Sequence, residues 1–247
     1  MTAMPLPGTL LRTLSDLSGQ RHPQSHTKAV LAPEEPDRVP MMQRRVSVAF
    51  LRTVRDELEA LGRGDFDCGQ LLNGGHTTNS ATDWKEFDRS KDPFCLKACM
   101  LFTGTSFVET CIAAGLTESA QGEPFFGPIN TFASYTWRSD PDGPRTITFA
   151  NLVQAIEDTL ADAAMNGTGP DPSTIFAFVD VFMCAQHRGE RPGSGTCPNK
   201  TDVGKFEEAC VGCERLLTSC APLAPPRALG RLWCLFELMS AMKRGVS

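Results

Sequence analysis

Residues 174–182 have the sequence TIFAFVDVF, an almost uninterrupted run of apolar and β-branched residues. A strand buried on both faces of a parallel sheet has this composition, because helices cover both faces and leave no polar side. We therefore predict a buried strand over 174–182. Asp180 interrupts this run, and an unpaired carboxylate would be costly inside it, so we expect Asp180 to cap backbone groups or bind a ligand at the strand end.

The segment before this run completes a strand–helix–strand unit. Residues 129–137 (INTFASYTW) favour a strand, and residues 140–144 (DPDGP) favour a turn. Apolar residues then recur at helical spacing from Phe149 to Ala164, and Asn166-Gly167 marks the end of that helix. Two strands joined by one helix predict a right-handed parallel crossover.

The segment after this run repeats the alternation. Asp202 can cap a helix that continues to about residue 217, residues 216–221 form a candidate third strand, and residues 227–243 favour a last helix. The order of elements predicts a three-layer α/β domain over 129–247 with a mostly parallel, flavodoxin-like sheet. This domain has fewer strand–helix units than flavodoxin-like domains usually have. The domain is shortened, or the chain is a fragment, or segments before residue 129 supply the missing packing.

The N-terminal half carries weaker signals. Residues 1–40 are rich in proline and lack apolar periodicity, which favours a disordered tail. Residues 41–128 are expected to form a helical and loop-rich extension, with a helix over 41–61 and a surface loop over 62–94. Within it, Ser106 and Glu109 have the spacing of a capping box at the start of a short helix.

Composition excludes several classes of function. The net charge is -5 and basic residues do not cluster, so nucleic-acid binding is not expected. The chain has no apolar run of about 18 residues and no secretory signal, so neither membrane insertion nor export is expected and the cytoplasm is the default compartment.

The ten cysteines, most of them in apolar runs, are expected to be reduced and buried. No metal site is predicted, because Cys184, Cys197 and His187 lack a matching second pair of ligands.

Polar residues that follow the strands are the candidates for chemistry, because ligands of open parallel sheets bind at the carboxyl ends of the strands. The loop after Trp137 offers Arg138, Ser139 and Asp140. The loop after the strand at 174–182 offers Gln186 and His187, among others. Neither loop has a glycine-rich phosphate-binding motif.

Three separated motifs resemble those of known domains. Residues 132–137 (FASYTW) resemble the first strand of Toll/interleukin-receptor (TIR) domains and the opening motif of fungal heterokaryon-incompatibility domains. Residues 179–187 (VDVFMCAQH) look like the second signature of the fungal group. Residues 233–238 (WCLFEL) are similar to the Trp-Cys-Leu-x-Glu-Leu helix start of plant-type TIR domains. TIR-like proteins of algae and other protists carry all three, and the resemblance covers about half of the chain.

This resemblance implies a function and a set of residues. Enzymatic TIR domains cleave NAD at the nicotinamide–ribose bond with an essential glutamate in that helix, which by position is Glu237. The resemblance further implies NAD as a substrate rather than a cofactor, and no metal. The residues expected at the substrate are the aromatic walls Trp137 and Trp233, the mouth residues Arg138, Ser139 and Asp140, and the strand-end residue Asp180. The alternative is a non-enzymatic module of the same fold that self-associates or binds other TIR-like domains in intracellular signalling or defence, since a fold does not decide function.

The helical phase of Glu237 leaves its role open. Projected at 100° per residue, Leu232, Leu235, Phe236, Met239 and Met242 share one side of the last helix, and Glu237 lies opposite. Periodicity alone therefore predicts that Glu237 faces solvent. The other residues on its side are apolar or small, however, which fits a carboxylate at the edge of a cleft.

Overall fold

The structure is a computed structural model that describes residues 10–21, 38–74, 95–101, 103–128, 130–136, 147–167, 174–191, 195–219 and 231–245. The α-helices are α1 (Leu10–Arg21), α2 (Val48–Ala60), α3 (Cys68–Asn73), α4 (Leu96–Met100), α5 (Phe107–Ala113), α6 (Phe149–Met165), α7 (Asp180–Met183), α8 (Pro198–Val203), α9 (Phe206–Val211) and α10 (Leu232–Arg244). The strands are β1 (Arg45–Ser47), β2 (Phe126–Gly127), β3 (Thr131–Ser134), β4 (Phe176–Phe178) and β5 (Arg215–Thr218).

The described strands form one mixed sheet in the order β2-β1-β4-β3-β5. β3 lies between β4 and β5 and is parallel to both, while β1 is antiparallel to β4 and to β2. The predicted α/β class is therefore confirmed, and so are the parallel pair joined by α6 and the third strand near residue 216. The sheet is mixed rather than mostly parallel, because β1 and β2 add an antiparallel edge.

β1 and β2 come from the segment that was expected to be an extension outside the sheet. Ser47 ends β1, and its hydroxyl accepts a hydrogen bond from the Phe50 N–H at the start of α2. A strand therefore occupies part of the predicted helix 41–61. Segments before residue 129 thus contribute to the sheet. This was one of the three alternatives for the small number of predicted strands.

α1 occupies part of the predicted disordered tail. Its first backbone N–H groups, those of Leu10 and Leu11, donate to the two carboxylate oxygens of Glu57 at 2.6 and 2.8 Å. Leu10, Leu11 and Leu14 are buried in the main core. The proline-rich composition did not reveal this helix, because its docking depends on a carboxylate 46 residues away in the chain.

Two further elements are shorter than the sequence predicted. The apolar run 174–182 forms a strand only to Phe178, and Asp180 begins the short helix α7. The helix expected from Asp202 is divided into α8 and α9, and Asp202 lies inside α8 instead of capping it. The buried Asp202 carboxylate accepts hydrogen bonds from Arg38 and Arg44, so tertiary contacts outweighed its preference for a cap.

Aromatic rings tie the sheet to the helices around it. Phe132 of β3 stacks on Phe178 of β4 with ring centroids 4.6 Å apart, and Phe206 of α9 packs edge-on against both rings. Phe50 of α2 contacts Phe182 at 5.2 Å. The core therefore includes residues from both sides of the expected boundary at residue 129. No helix in the described ranges is long and apolar enough to cross a membrane.

Candidate functional site

Glu237 lies on the buried side of α10 and has only 6% of its surface exposed. Its Oε2 accepts a hydrogen bond of 2.5 Å from the hydroxyl of Ser134, the last residue of β3. The carboxyl group is thus held at the carboxyl end of the strand that lies between β4 and β5. This is the edge at which open α/β sheets bind ligands.

The face of α10 that packs on the protein is the opposite of the one that periodicity predicts. Leu232 and Met242 are 83% and 71% exposed, and Met239 and Phe236 are also exposed. The buried residues are Cys234, Glu237, Ser240 and Ala241. The solvent-facing position that periodicity gave to Glu237 is therefore wrong, and the alternative of a carboxylate at the edge of a cleft stays a prediction.

Small side chains explain this inverted packing. Cys234 and Cys210 let α10 approach β3 and α9 closely, and both thiols donate hydrogen bonds to main-chain oxygens. The Cys234 thiol donates to the Tyr135 carbonyl at 3.7 Å, and the Cys210 thiol donates to the Glu237 carbonyl at 3.3 Å. Sulfur therefore contributes hydrogen bonds as well as packing volume on this side of the helix.

Asp180 is a second carboxylate near this edge. Its Oδ1 accepts a hydrogen bond of 2.5 Å from the Tyr135 hydroxyl, and the Gln186 side chain donates to its main-chain oxygen at 2.9 Å. Asp180 lies two residues after the end of β4, and Tyr135 directly follows β3. The carboxylates of Asp180 and Glu237 thus both accept hydrogen bonds from hydroxyl groups at the end of β3.

The electrostatic environment of Glu237 favours its protonated form. Burial raises the pKa of Glu237 from 4.5 to about 7, and the negative charge of Asp180 acts in the same direction. The hydrogen bond from Ser134 and the charge of Arg231 lower this pKa but do not cancel the effect of burial. A carboxyl group that titrates near neutral pH can either donate or accept a proton in a reaction.

The cysteines near the site are poor nucleophiles. Burial raises the pKa of Cys210 to about 12 and also raises the pKa of Cys234 above its usual value. Both groups are therefore thiols at neutral pH, whereas the nucleophilic form of cysteine is the thiolate. The chemistry that this cluster supports is that of carboxylates and hydroxyls.

The structure describes some of the predicted substrate residues and not others. Trp137, Arg138, Ser139 and Asp140 lie outside the described residues. Asp180 lies two residues after β4, at the start of α7, and its carboxylate accepts a hydrogen bond from the Tyr135 hydroxyl; a ligand-binding role for Asp180 stays a prediction. Half of the Trp233 side chain is exposed, and its ring lies 5.8 Å from Phe206 and 6.1 Å from Phe236 between ring centroids. Trp233 therefore borders the exposed side of α10.

The residues once considered for a metal site have other contacts. A ring nitrogen of His187 (Nε2) pairs with the Lys97 carbonyl at 2.9 Å, and Cys184 is buried in the core. In the part of the chain that the structure describes, no three His, Cys, Asp or Glu side chains form a group that could hold a metal ion.

Sequence reasoning missed Ser134 and Tyr135. The predicted strand extended to Trp137, so the search for polar groups began at residue 138, whereas the strand ends at Ser134. Polar residues within the last positions of a predicted strand were the available signal, because strand boundaries are uncertain by a few residues.

Comparison with known proteins yields no relative. No protein-family model matches the chain, and no curated protein or solved structure matches it.

Proposed function

We propose that this protein is a TIR-like domain of intracellular signalling or defence that hydrolyses NAD at the nicotinamide–ribose bond, with Glu237 as the essential carboxylate. The observation that carries the proposal is the buried Glu237 carboxyl, bonded to Ser134 at the carboxyl edge of the parallel strands. The motif of residues 233–238 suggested Glu237, and the geometry of the site is consistent with that role.

The strand order supports a flavodoxin-like, TIR-like arrangement. Along the chain, β3, β4 and β5 are the first, second and third parallel strands, and in space the first lies between the other two. A sheet with this order binds its ligand where the first and third strands separate. Ser134 pairs with Thr218 of β5 at that point, and it carries the hydrogen bond to Glu237.

The chemistry of the site suits cleavage of the bond between ribose and a positively charged pyridinium nitrogen, which leaves as neutral nicotinamide. When nicotinamide departs with the bonding electron pair, positive charge develops on the ribose, and an ionised carboxylate beside it stabilises that charge. Water then adds to the ribose carbon and loses a proton, which gives ADP-ribose. Glu237 can accept that proton because its pKa lies near 7.

Nicotinamide release tests this proposal. The purified protein at high concentration should convert NAD to nicotinamide and ADP-ribose, measured by chromatography. Glu237→Gln should reduce the rate at least ~100-fold, because it keeps the side-chain shape but removes the charge that stabilises the transition state. Ser240→Ala, on the same buried face of α10, is the matched control and should keep most of the activity. No release by the wild type, or equal rates for wild type and Glu237→Gln, would reject the proposal.

The second candidate is self-assembly, and the exposed side of α10 favours it. This apolar stripe consists of Leu232, Trp233, Phe236, Met239 and Met242. Leu232, Phe236, Met239 and Met242 recur at spacings of three and four residues, as on a helix that pairs with another helix, and Trp233 lies beside them. We propose a second copy of this chain as the partner, because the stripe itself has no charged side chain and an identical apolar stripe can pack against it without burying a charge.

Light scattering coupled to size exclusion tests self-assembly. The wild type should form a dimer whose fraction rises with protein concentration, and the double variant Met239→Gln/Met242→Gln should stay monomeric because it makes the stripe polar. Met165→Gln, an equally exposed methionine on α6, is the control and should dimerise like the wild type. A monomeric wild type at all concentrations, or a dimer that survives the double substitution, would exclude this use of the stripe.

A further inference from the structure

Ser134 at the end of β3 is held by hydrogen bonds of both its main chain and its side chain. Its side chain is buried, its main chain pairs with Thr218 of β5, and its carbonyl accepts a hydrogen bond of 2.8 Å from the Ser219 N–H. The hydroxyl therefore has a defined position before any ligand binds. It donates to Oε2 of Glu237, while Oε1 accepts no hydrogen bond from any residue in the described ranges.

We propose that Ser134 is the positioning residue of this site: its hydroxyl holds one oxygen of the Glu237 carboxyl group and leaves the other oxygen available to the reacting group. The proposal rests on the role proposed for Glu237, although the hydrogen bond itself can be tested without any substrate. Ser134 would act through Glu237 and would not touch the substrate.

The hydrogen bond also selects the ionised form of Glu237. A hydroxyl that donates to a carboxylate stabilises the charged state, so Ser134 opposes the effect of burial. Without this bond, a smaller fraction of Glu237 would be ionised at neutral pH. Ser134 thus increases the fraction of Glu237 that is ionised at neutral pH and can stabilise positive charge.

Other charged and titratable groups face Glu237 from each neighbouring element. Asp180 on α7 disfavours its charge, and Arg231 at the start of α10 favours it. Cys210 on α9 and Cys234 on α10 are nearby thiols with raised pKa values and carry no charge at neutral pH. Asp180 is therefore the only group among these whose removal should shift the Glu237 titration downwards.

Tyr135 has the same relation to Asp180 that Ser134 has to Glu237. The two residues are neighbours in the chain, and each donates a hydroxyl hydrogen bond of 2.5 Å to one carboxylate. Burial raises the pKa of Tyr135 well above its usual value, and the charge of Asp180 raises it further, so Tyr135 remains a donor. The end of β3 therefore fixes the positions of both carboxylates.

Direct titration of the carboxyl group tests the role of Ser134. The protein is labelled with ¹³C at glutamate carboxyl groups, the Glu237 signal is assigned by its loss in Glu237→Gln, and the midpoint is followed by NMR. Ser134→Ala should raise the midpoint by roughly 0.5–1 pH unit, because a donor to the charged form is lost. Ser134→Thr keeps the hydroxyl and should restore the wild-type midpoint. Asp180→Asn should lower the midpoint, because a neighbouring negative charge is lost.

The outcomes distinguish the two proposals. A midpoint unchanged by Ser134→Ala rejects the positioning role, whatever the activity. If Ser134→Ala does not fold, Ser134→Cys replaces it as a weaker donor and should raise the midpoint in the same direction. If the midpoint rises but the wild type releases no nicotinamide, the positioning role stands and the proposed reaction fails. If NAD is hydrolysed, Ser134→Ala should move the pH profile of the rate to higher pH by the same amount as it raises the Glu237 midpoint.

Discussion

Asp202→Ala is expected to lower the free energy of unfolding by about 3–5 kcal/mol, because it leaves the positive charges of the buried Arg44 and the partly buried Arg38 no longer balanced. The Asp202 carboxylate accepts hydrogen bonds from Arg38 at 2.8 Å, from Arg44 at 3.0 Å and from the Ala185 N–H at 2.8 Å. Urea unfolding followed by circular dichroism measures the change. The loss is large because all three donors lose a buried acceptor at once.

The partner carboxylate, Glu109, explains why one substitution should have so large an effect. Burial raises the pKa of Glu109, but the hydrogen bond from Arg38 and the charges of Arg44 and Arg38 lower it by more, so the net pKa is below its usual value. Two arginines thus share two carboxylates, and removal of one leaves an excess of positive charge. The matched control is Glu207→Ala, an exposed carboxylate on α9, which should change stability by less than about 1 kcal/mol. An equal effect of the two substitutions would contradict this account of the cluster.

The unfolding free energy of Glu237→Gln, relative to that of the wild type, is expected to increase as the pH rises from 5 to 8. The native pKa of Glu237 is about 7 against 4.5 for an ordinary glutamate, so between these values the folded protein binds a proton that the unfolded chain has released. Wild-type stability must therefore fall through this window, by on the order of 3 kcal/mol in total. Glutamine does not titrate, so the variant escapes this loss.

The measurement is the difference in unfolding free energy between variant and wild type at pH 5 and at pH 8. Comparing this difference at the two pH values cancels the other titrating groups and the constant effect of an amide in place of a carboxyl. Ser240→Ala is the control on the same buried face of α10, and its difference from wild type should not depend on pH. If the Glu237→Gln difference is the same at both pH values, Glu237 is not held in the desolvated environment described above.

Local sequence signals determined several elements of the fold. Ser106 and Glu109 form the predicted capping box at the start of α5, with hydrogen bonds in both directions between side chain and main chain. The apolar stripe from Phe149 identified α6, and the β-branched and aromatic runs identified β3 and β4. These signals succeed because caps and periodicity depend on residues only three or four positions apart.

Elements that depend on distant partners were not predictable in the same way. β1 and β2 are too short for periodicity to show, and they exist because β1 can pair with β4 across the sheet. α1 is held at its N-terminus by Glu57 of α2. In each case the stabilising contact joins segments that are far apart in the chain, so no window of sequence contains both partners.

Part of the candidate site was likewise predictable from the sequence, and part depended on the tertiary structure. The sequence by itself identified α10 and, through the resemblance of residues 233–238, selected Glu237. Only the tertiary structure decided which side of α10 faces the protein, and the periodicity of its large apolar residues predicted the wrong side. The reason is steric and electrostatic: Cys234 and Ala241 allow close approach to the sheet edge and α9, and Ser134 supplies the hydrogen bond that lets a glutamate be buried there.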